Sequence, residues 1–228
     1  MIQRTVQFIL LFILCSPSTF AQYTQVGEGG FASSFYGPLS SDTSTPFYSR
    51  YAYIYNANTI DQVKDGDQIT ALAFKHNAFD TLDGNCTFKI YLKTTPNLDF
   101  GTGSLNWLAE TRNGMTLVYE GNPSGAVGDR PGWAVFKFNE VDSFLFDTAG
   151  RAENLQILTE FRQNANQVAA IPWFVETAFY VPTFLTNNET KYVRGSGVSG
   201  YDSITNATTI IKPTLRIYHP RSKHDLQT

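Results

Sequence analysis

Side chains that ionise, ligate or attack are present in this chain, but few are spaced to act together. The stretch CTFKIYLK (86–93) carries Cys86, one of two cysteines in 228 residues. A thiolate is a nucleophile and a metal ligand, whereas a thiol buried among apolar groups is neither. No histidine stands beside Cys86 in sequence. The three histidines, His76, His219 and His224, form no pair at metal-ligand spacing, which argues against a catalytic zinc. GSGVSG (195–200) falls short of the G-x-S-x-G elbow, because Tyr201 stands where the last glycine belongs. GTGS (101–104) lacks the lysine of a phosphate loop. Both read as turns.

Carboxylates gather in two places. DQVKDGD (61–67) holds Asp61, Asp65 and Asp67, and DTLDGN (80–85) holds Asp80, Asp83 and Asn85. The second group has the oxygen donors of a structural calcium site, but EF-hand spacing is absent. A tight turn at Asp83-Gly84, leading into the strand that begins at Cys86, is the stronger reading. Glu110, Glu120, Glu140, Glu153, Glu160 and Glu176 are scattered and carry no local glycosidase signature.

Aromatic side chains are the clearer excess. In FYSRYAYIYN (47–56), Phe47, Tyr51, Tyr53 and Tyr55 share one face of a strand, opposite Arg50, Ala52 and Ile54. Exposed, that stripe would stack on sugar rings or on a protein partner. The favoured alternative lines a β-sandwich interior with it, each hydroxyl reaching an acceptor. Of Trp107, Trp133 and Trp173, Trp107 in the loop-like SLNWLAE is expected to be the most accessible. Tyr51, Tyr53, Tyr55 and Trp107 are thus the candidate contacts for a glycan or a surface protein.

The elements around these residues are strands. In CTFKIYLK, Cys86, Phe88, Ile90 and Leu92 alternate with Thr87, Lys89, Tyr91 and Lys93, so one face is buried and Cys86 lies on it. QITALAFKH (68–76) suits one central strand. MTLVYE (115–120), WAVFKF (133–138), LQILTEF (155–161) and PTLRIY (213–218) add four more, with Pro213 at a strand start or edge. AIPWFVETAFYVP (170–182) adds one or two. Gly, Asn and Asp turns separate them. SLNWLAETR (104–112) and NANQVAA (164–170) give at most a turn or two of helix. GPLSSDTSTP (37–46) and SGVSGYDSITNATT (196–209) read as exposed loops. The fold expected is all-β, a two-sheet antiparallel β-sandwich, jelly-roll-like, with little helix.

The opening MIQRTVQFILLFILCSPSTFAQ has a charged start, a short apolar run and small residues before Gln22. It reads as a signal peptide over 1–21, too short in its apolar part to span a bilayer. Lipid attachment at Cys15 is disfavoured by Leu14 before it. A strand and loop over 22–46 would lead into a sandwich domain over 47–219, and 220–228 would be a tail or linker. Net charge is −3 with no basic block, which argues against nucleic acid as partner. With Cys15 removed, Cys86 has no partner for an intramolecular disulfide. The expected location is secreted or cell surface, with no membrane span.

Taken in order, FYSRYAYIY, ITALAFKHNA, CTFKIYLKTT, LNWLAE, MTLVYEG, GWAVFKFN, LFDTAGRAENLQILTEF and KPTLRIY resemble an N-terminal β-sandwich module. That module occurs in large secreted and cell-surface proteins of Bacteroidetes, many exported by the type IX system. The resemblance runs from Phe47 to Tyr218. It implies an exported sandwich followed by fibronectin- or immunoglobulin-like modules of a longer polypeptide, and no catalytic residue. The expected function is a non-catalytic binding or adhesion module recognising glycan or protein. The alternatives are a structural spacer in a surface protein or, third, a glycan-acting hydrolase whose acids converge only in the fold.

Overall fold

A computed structural model describes residues 22–40, 47–82, 84–139, 143–151, 153–164, 170–176, 188–196, 203–204, 208–209 and 211–220. Residues 1–21, expected to be a signal peptide, those from 221 on and most of NANQVAA lie outside them.

Two antiparallel sheets face each other. The first contains β1 (Tyr23–Val26), β2 (Phe31–Ser33), β5 (Ala71–His76), β9 (Gly132–Lys137), β12 (Trp173–Glu176), β16 (Lys212–Pro213) and β17 (Leu215–Tyr218). The second runs in the order β15 (Thr208–Thr209), β13 (Thr190–Ser196), β3 (Phe47–Tyr55), β11 (Asn154–Gln163), β6 (Cys86–Thr95) and β8 (Thr116–Gly121). Two small ribbons flank them. One pairs β4 (Asp67–Ile69) with β10 (Phe144–Phe146), the other β7 (Leu105–Asn106) with β14 (Ser203–Ile204). The chain crosses repeatedly between the sheets, so the fold is the all-β, jelly-roll-like sandwich that the alternation predicts.

Period-two side chains explain the layering. From the six-stranded sheet, Tyr51, Tyr53, Tyr55, Phe88, Ile90, Leu92, Ile157 and Phe161 point inward. They meet Leu72, Phe74, Phe136, Trp173, Leu215 and Ile217 of the seven-stranded sheet in one core. Cys86 lies in that core as expected, and its Sγ is 3.7 Å from the side-chain oxygen of Asn122. Burying each Phe, Ile or Leu here contributes about 1.5–3 kcal/mol.

Three local expectations need correction. QITALAFKH is two strands, not one: β4 leaves to pair with β10 while β5 continues as the central strand between β17 and β9. The stretch GPLS (37–40), expected to be exposed, is buried because it caps Trp173; Leu39 offers its carbonyl to the indole Nε1 at 3.2 Å. Residues 41–46 of that loop lie outside the described ones. Finally, β3 buries both faces rather than one, since all nine of its residues are buried. Its outer face is covered by the segment from Phe100 to Met115, where Leu105, Trp107, Ala52 and Leu158 form a second, smaller cluster. That cover includes helix α1 (Trp107–Arg112), capped by the Asn106 side chain accepting from Ala109 N at 2.9 Å.

Gly37 shows how tightly Trp173 is enclosed. A Cβ at this position would lie 2.5 Å from the indole ring. Gly37→Ala should therefore lower stability by about 1–3 kcal/mol, read from the urea midpoint with tryptophan fluorescence as probe. An unchanged midpoint would show that this loop does not hold the indole.

Candidate functional site

The four aromatic residues singled out from sequence are all inside. Tyr51, Tyr53, Tyr55 and Trp107 are each 1% exposed. The favoured interior reading of the tyrosine stripe describes the structure. The expectation that Trp107 is the most accessible tryptophan is corrected: α1 folds it onto the outer face of β3, under Tyr91 and against Arg50. Trp133, half-buried, is the most exposed of the three. As placed, none of the four offers a surface to a ligand.

The tyrosine hydroxyls instead tie layers together. Tyr51 donates to the Phe35 carbonyl at 2.5 Å and Tyr55 to the Pro213 carbonyl at 2.9 Å. The Tyr53 hydroxyl has no hydrogen-bond partner. Burial pushes the phenols of all three well above their ordinary range. Of the calcium candidates, Asp80 and Asn85 are exposed and Asp83 lies outside the described residues. Among the described residues no three His, Cys, Asp or Glu side chains gather to hold a metal ion.

Two constellations absent from the sequence reading do form. The first joins Thr24, Asp67 and His219, residues nearly two hundred positions apart. His219 Nε2 lies 3.0 Å from Thr24 Oγ1, and its Nδ1 lies 3.1 Å from Asp67 Oδ2, too obliquely for a hydrogen bond. The order carboxylate, imidazole, hydroxyl is that of a hydrolytic triad. All three residues are buried, however, so the hydroxyl meets no substrate. The group fastens β1 to the end of β17 and to β4.

The second lies on the outer face of the six-stranded sheet. In register across β3, β11, β6 and β8 stand Arg50, Glu160, Lys89 and Glu120, a row of alternating charge. Arg50 meets Glu160 at 2.7 Å, Arg162 meets Glu160 at 3.1 Å, and Lys89 meets Glu120 at 2.7 Å. Thr87, Lys89, Glu120, Glu160 and Arg162 line a depression of about 330 Å³. Two carboxylates beside one depression is what a glycosidase needs. Here both are ion-paired, and neither sits in the apolar setting that a proton-donating carboxyl uses.

Among the described residues, the outer face of the seven-stranded sheet is also open. Alternation sends Tyr23 and Gln25 of β1, Arg216 and Tyr218 of β17, Lys75 of β5, and Trp133, Val135 and Lys137 of β9 to this side. Ala71 and Ala73 keep its middle low. Arg216 reaches across, its guanidinium 4.3 Å from the Tyr23 ring centroid and 4.0 Å from that of Trp133. Gln25 accepts from Arg216 Nε at 3.0 Å, fixing the plane of the stack. Tyr23 is 44% exposed and packs at 5.6 Å on Tyr218. Beside them, Lys75 stands 4.9 Å over the Phe174 ring. The result is a rigid, shallow platform of rings and planar donors. WAVFKF contained the signal for it: Trp133 shares its face with Val135 and Lys137, opposite the core residues Ala134, Phe136 and Phe138.

Two measurements follow. Tyr55→Phe strands the buried Pro213 carbonyl and should cost about 1–3 kcal/mol in chemical denaturation, whereas Tyr53→Phe, which removes an unpartnered hydroxyl, should be neutral or stabilising. Equal losses in both would refute this assignment. The second concerns pH. Burial depresses His76 and His219 below their ordinary value of 6.5, with Asp67 opposing the shift at His219. Below that value the unfolded chain binds protons that the fold refuses, so stability should be level above about pH 7 and fall from there toward pH 5.5. His219→Gln should flatten part of that slope in urea midpoints taken across the range; an identical slope would remove His219 from the account.

Comparison of the chain with protein-family models, with curated proteins and with solved structures finds no match.

Proposed function

We propose that the chain is an exported, non-catalytic module, secreted or at the cell surface, that binds glycan through the outer face of its seven-stranded sheet. The observation that carries this reading is the Tyr23–Arg216–Trp133 stack. Aromatic faces pack against the C–H faces of sugar rings, and an arginine or glutamine plane supplies donors and acceptors for hydroxyls. Because Gln25 and the two rings already hold Arg216, little side-chain freedom remains to be lost on binding. The two lysines on the same face favour a polar ligand over a protein partner, whose interface cores are depleted in lysine. The leader over 1–21 and the strand series resembling surface modules of Bacteroidetes support the location. No helix among the described residues is long and apolar enough to cross a membrane.

A structural spacer is the second reading, favoured by the burial of Tyr51, Tyr53, Tyr55 and Trp107. Screening on a glycan array separates the two. Trp133→Ala should weaken binding about tenfold or more, the loss of roughly 1.4 kcal/mol of stacking, with an unchanged melting temperature. Trp107→Ala should instead destabilise the fold. A wild-type protein that retains nothing on the array would favour the spacer.

A further inference from the structure

Resting on the glycan reading, we infer that the ligand of this face is an acidic polysaccharide, one bearing uronate or sulfate groups. The chain as a whole is acidic, with 20 Asp and Glu against 17 Lys and Arg. The outer face of the seven-stranded sheet has the opposite character. Arg216, Lys75 and Lys137 project from it, while none of the outward positions of β1, β17, β5 and β9 is a carboxylate. On β12 the same alternation puts Glu176 on this side with Phe174, beside the Gly29 backbone that also borders Lys75, but it is buried and its carboxylate accepts from the Gly29 N–H.

These cations are not consumed by partners. Among the described residues the ion pairs use Arg50, Lys89, Arg162, Lys212 and His219, and none of the three. Arg216 contacts two rings and an amide oxygen. Lys75 donates to the Glu28 carbonyl at 3.2 Å and lies over Phe174. Lys137 is exposed at the edge of the trough above Ala71. The contrast with the other sheet is direct. There Arg50, Glu160, Lys89 and Glu120 cancel one another in register, and no net charge faces outward along that row. An array of rings interleaved with cations that form no ion pair among the described residues complements a chain of sugar rings interleaved with anions.

The test uses affinity electrophoresis and calorimetry with polygalacturonate and chondroitin sulfate as acidic probes, xyloglucan and galactan as neutral ones, and oligo-dT as a non-sugar polyanion. Wild-type protein should prefer the acidic glycans over the neutral ones, and the preference should shrink as salt is raised. Lys75→Gln with Lys137→Gln should weaken acidic-glycan binding about fivefold and any neutral-glycan binding by less. Trp133→Ala should weaken both, and circular dichroism should report native folds for every variant. Equal affinity for neutral and acidic glycans, unmoved by the double substitution, would overturn the acidic assignment while leaving the glycan platform standing. Equal binding to oligo-dT would overturn it as mere polyanion attraction, and binding to no glycan would overturn the platform itself.

Discussion

Packing of the β3 tyrosines between the two sheets, with the hydroxyls of Tyr51 and Tyr55 anchored outside their own strand, governs what every other surface can do. Tyr192, Tyr51 and Tyr53 stack in a column, with ring centroids 5.5 and 5.9 Å apart and planes within 13° of parallel. Burying rings so large costs least where their polar ends find acceptors, and Tyr51 and Tyr55 do so through carbonyls of other segments, while Tyr53 does not. One of those carbonyls belongs to Pro213, in an edge strand that also carries Lys212. The Lys212 ammonium donates to Glu189 and to the Ile54 carbonyl, while burial depresses its pKa below the ordinary lysine range. Such a pair stabilises little by itself, but losing either partner would leave a buried charge. The sandwich is therefore fastened along β3 by bonds that tolerate no displacement of that strand.

A strand buried on both sides leaves its sheet no central wet face. Trp107 and α1 cover β3 from outside, and what stays open on that sheet is the charged row further along. The row is self-neutralising: each cation faces a carboxylate across the ladder, and Glu120 holds the Lys89 ammonium above its ordinary value. Groups so paired are poor acids, bases or nucleophiles, because chemistry would first have to break the pair. The buried Thr24–His219–Asp67 group fails for a different reason, access. Its geometry serves the closure of the sheet, where β1 and the end of β17 must be held against β4.

How much of this is legible in sequence depends on whether the cause is local. Alternation is local, so CTFKIYLK and WAVFKF give their strands and buried faces directly, and Cys86 is placed with them; MTLVYE gives its strand but not its buried face, because a bulge against β6 exposes Leu117 and turns Val118 to the core. Burial of both faces of FYSRYAYIY is not local, because Arg50 reads as a wet position until Glu160 and the Trp107 ring are brought to it. For the same reason Trp107 reads as exposed, its burial depending on which sheet its short helix lands upon. The split of QITALAFKH depends on β10, whose Phe144 pairs with Ile69 far back in the sequence. On the platform, Trp133 was visible as an aromatic on the wet side of an amphipathic strand. Arg216 and Tyr23 acquire meaning only from the register that sets β1, β17, β5 and β9 side by side.

Position in the fold also decides which aromatics can meet a partner. Tyr51 and Trp133 are chemically alike as stacking surfaces, yet the first is buried in the core and the second lies half-buried on an outer face. Ala71 and Ala73 matter as much as the rings. Large side chains there would crowd Arg216, whereas alanine leaves room for the guanidinium to sit within 4.3 Å of the Tyr23 ring centroid and 4.0 Å of that of Trp133. A guanidinium held in this way keeps its charge and its outward donors while losing its freedom to turn. Built on paired strands rather than on loops, the arrangement is set by the register of β1, β17, β5 and β9.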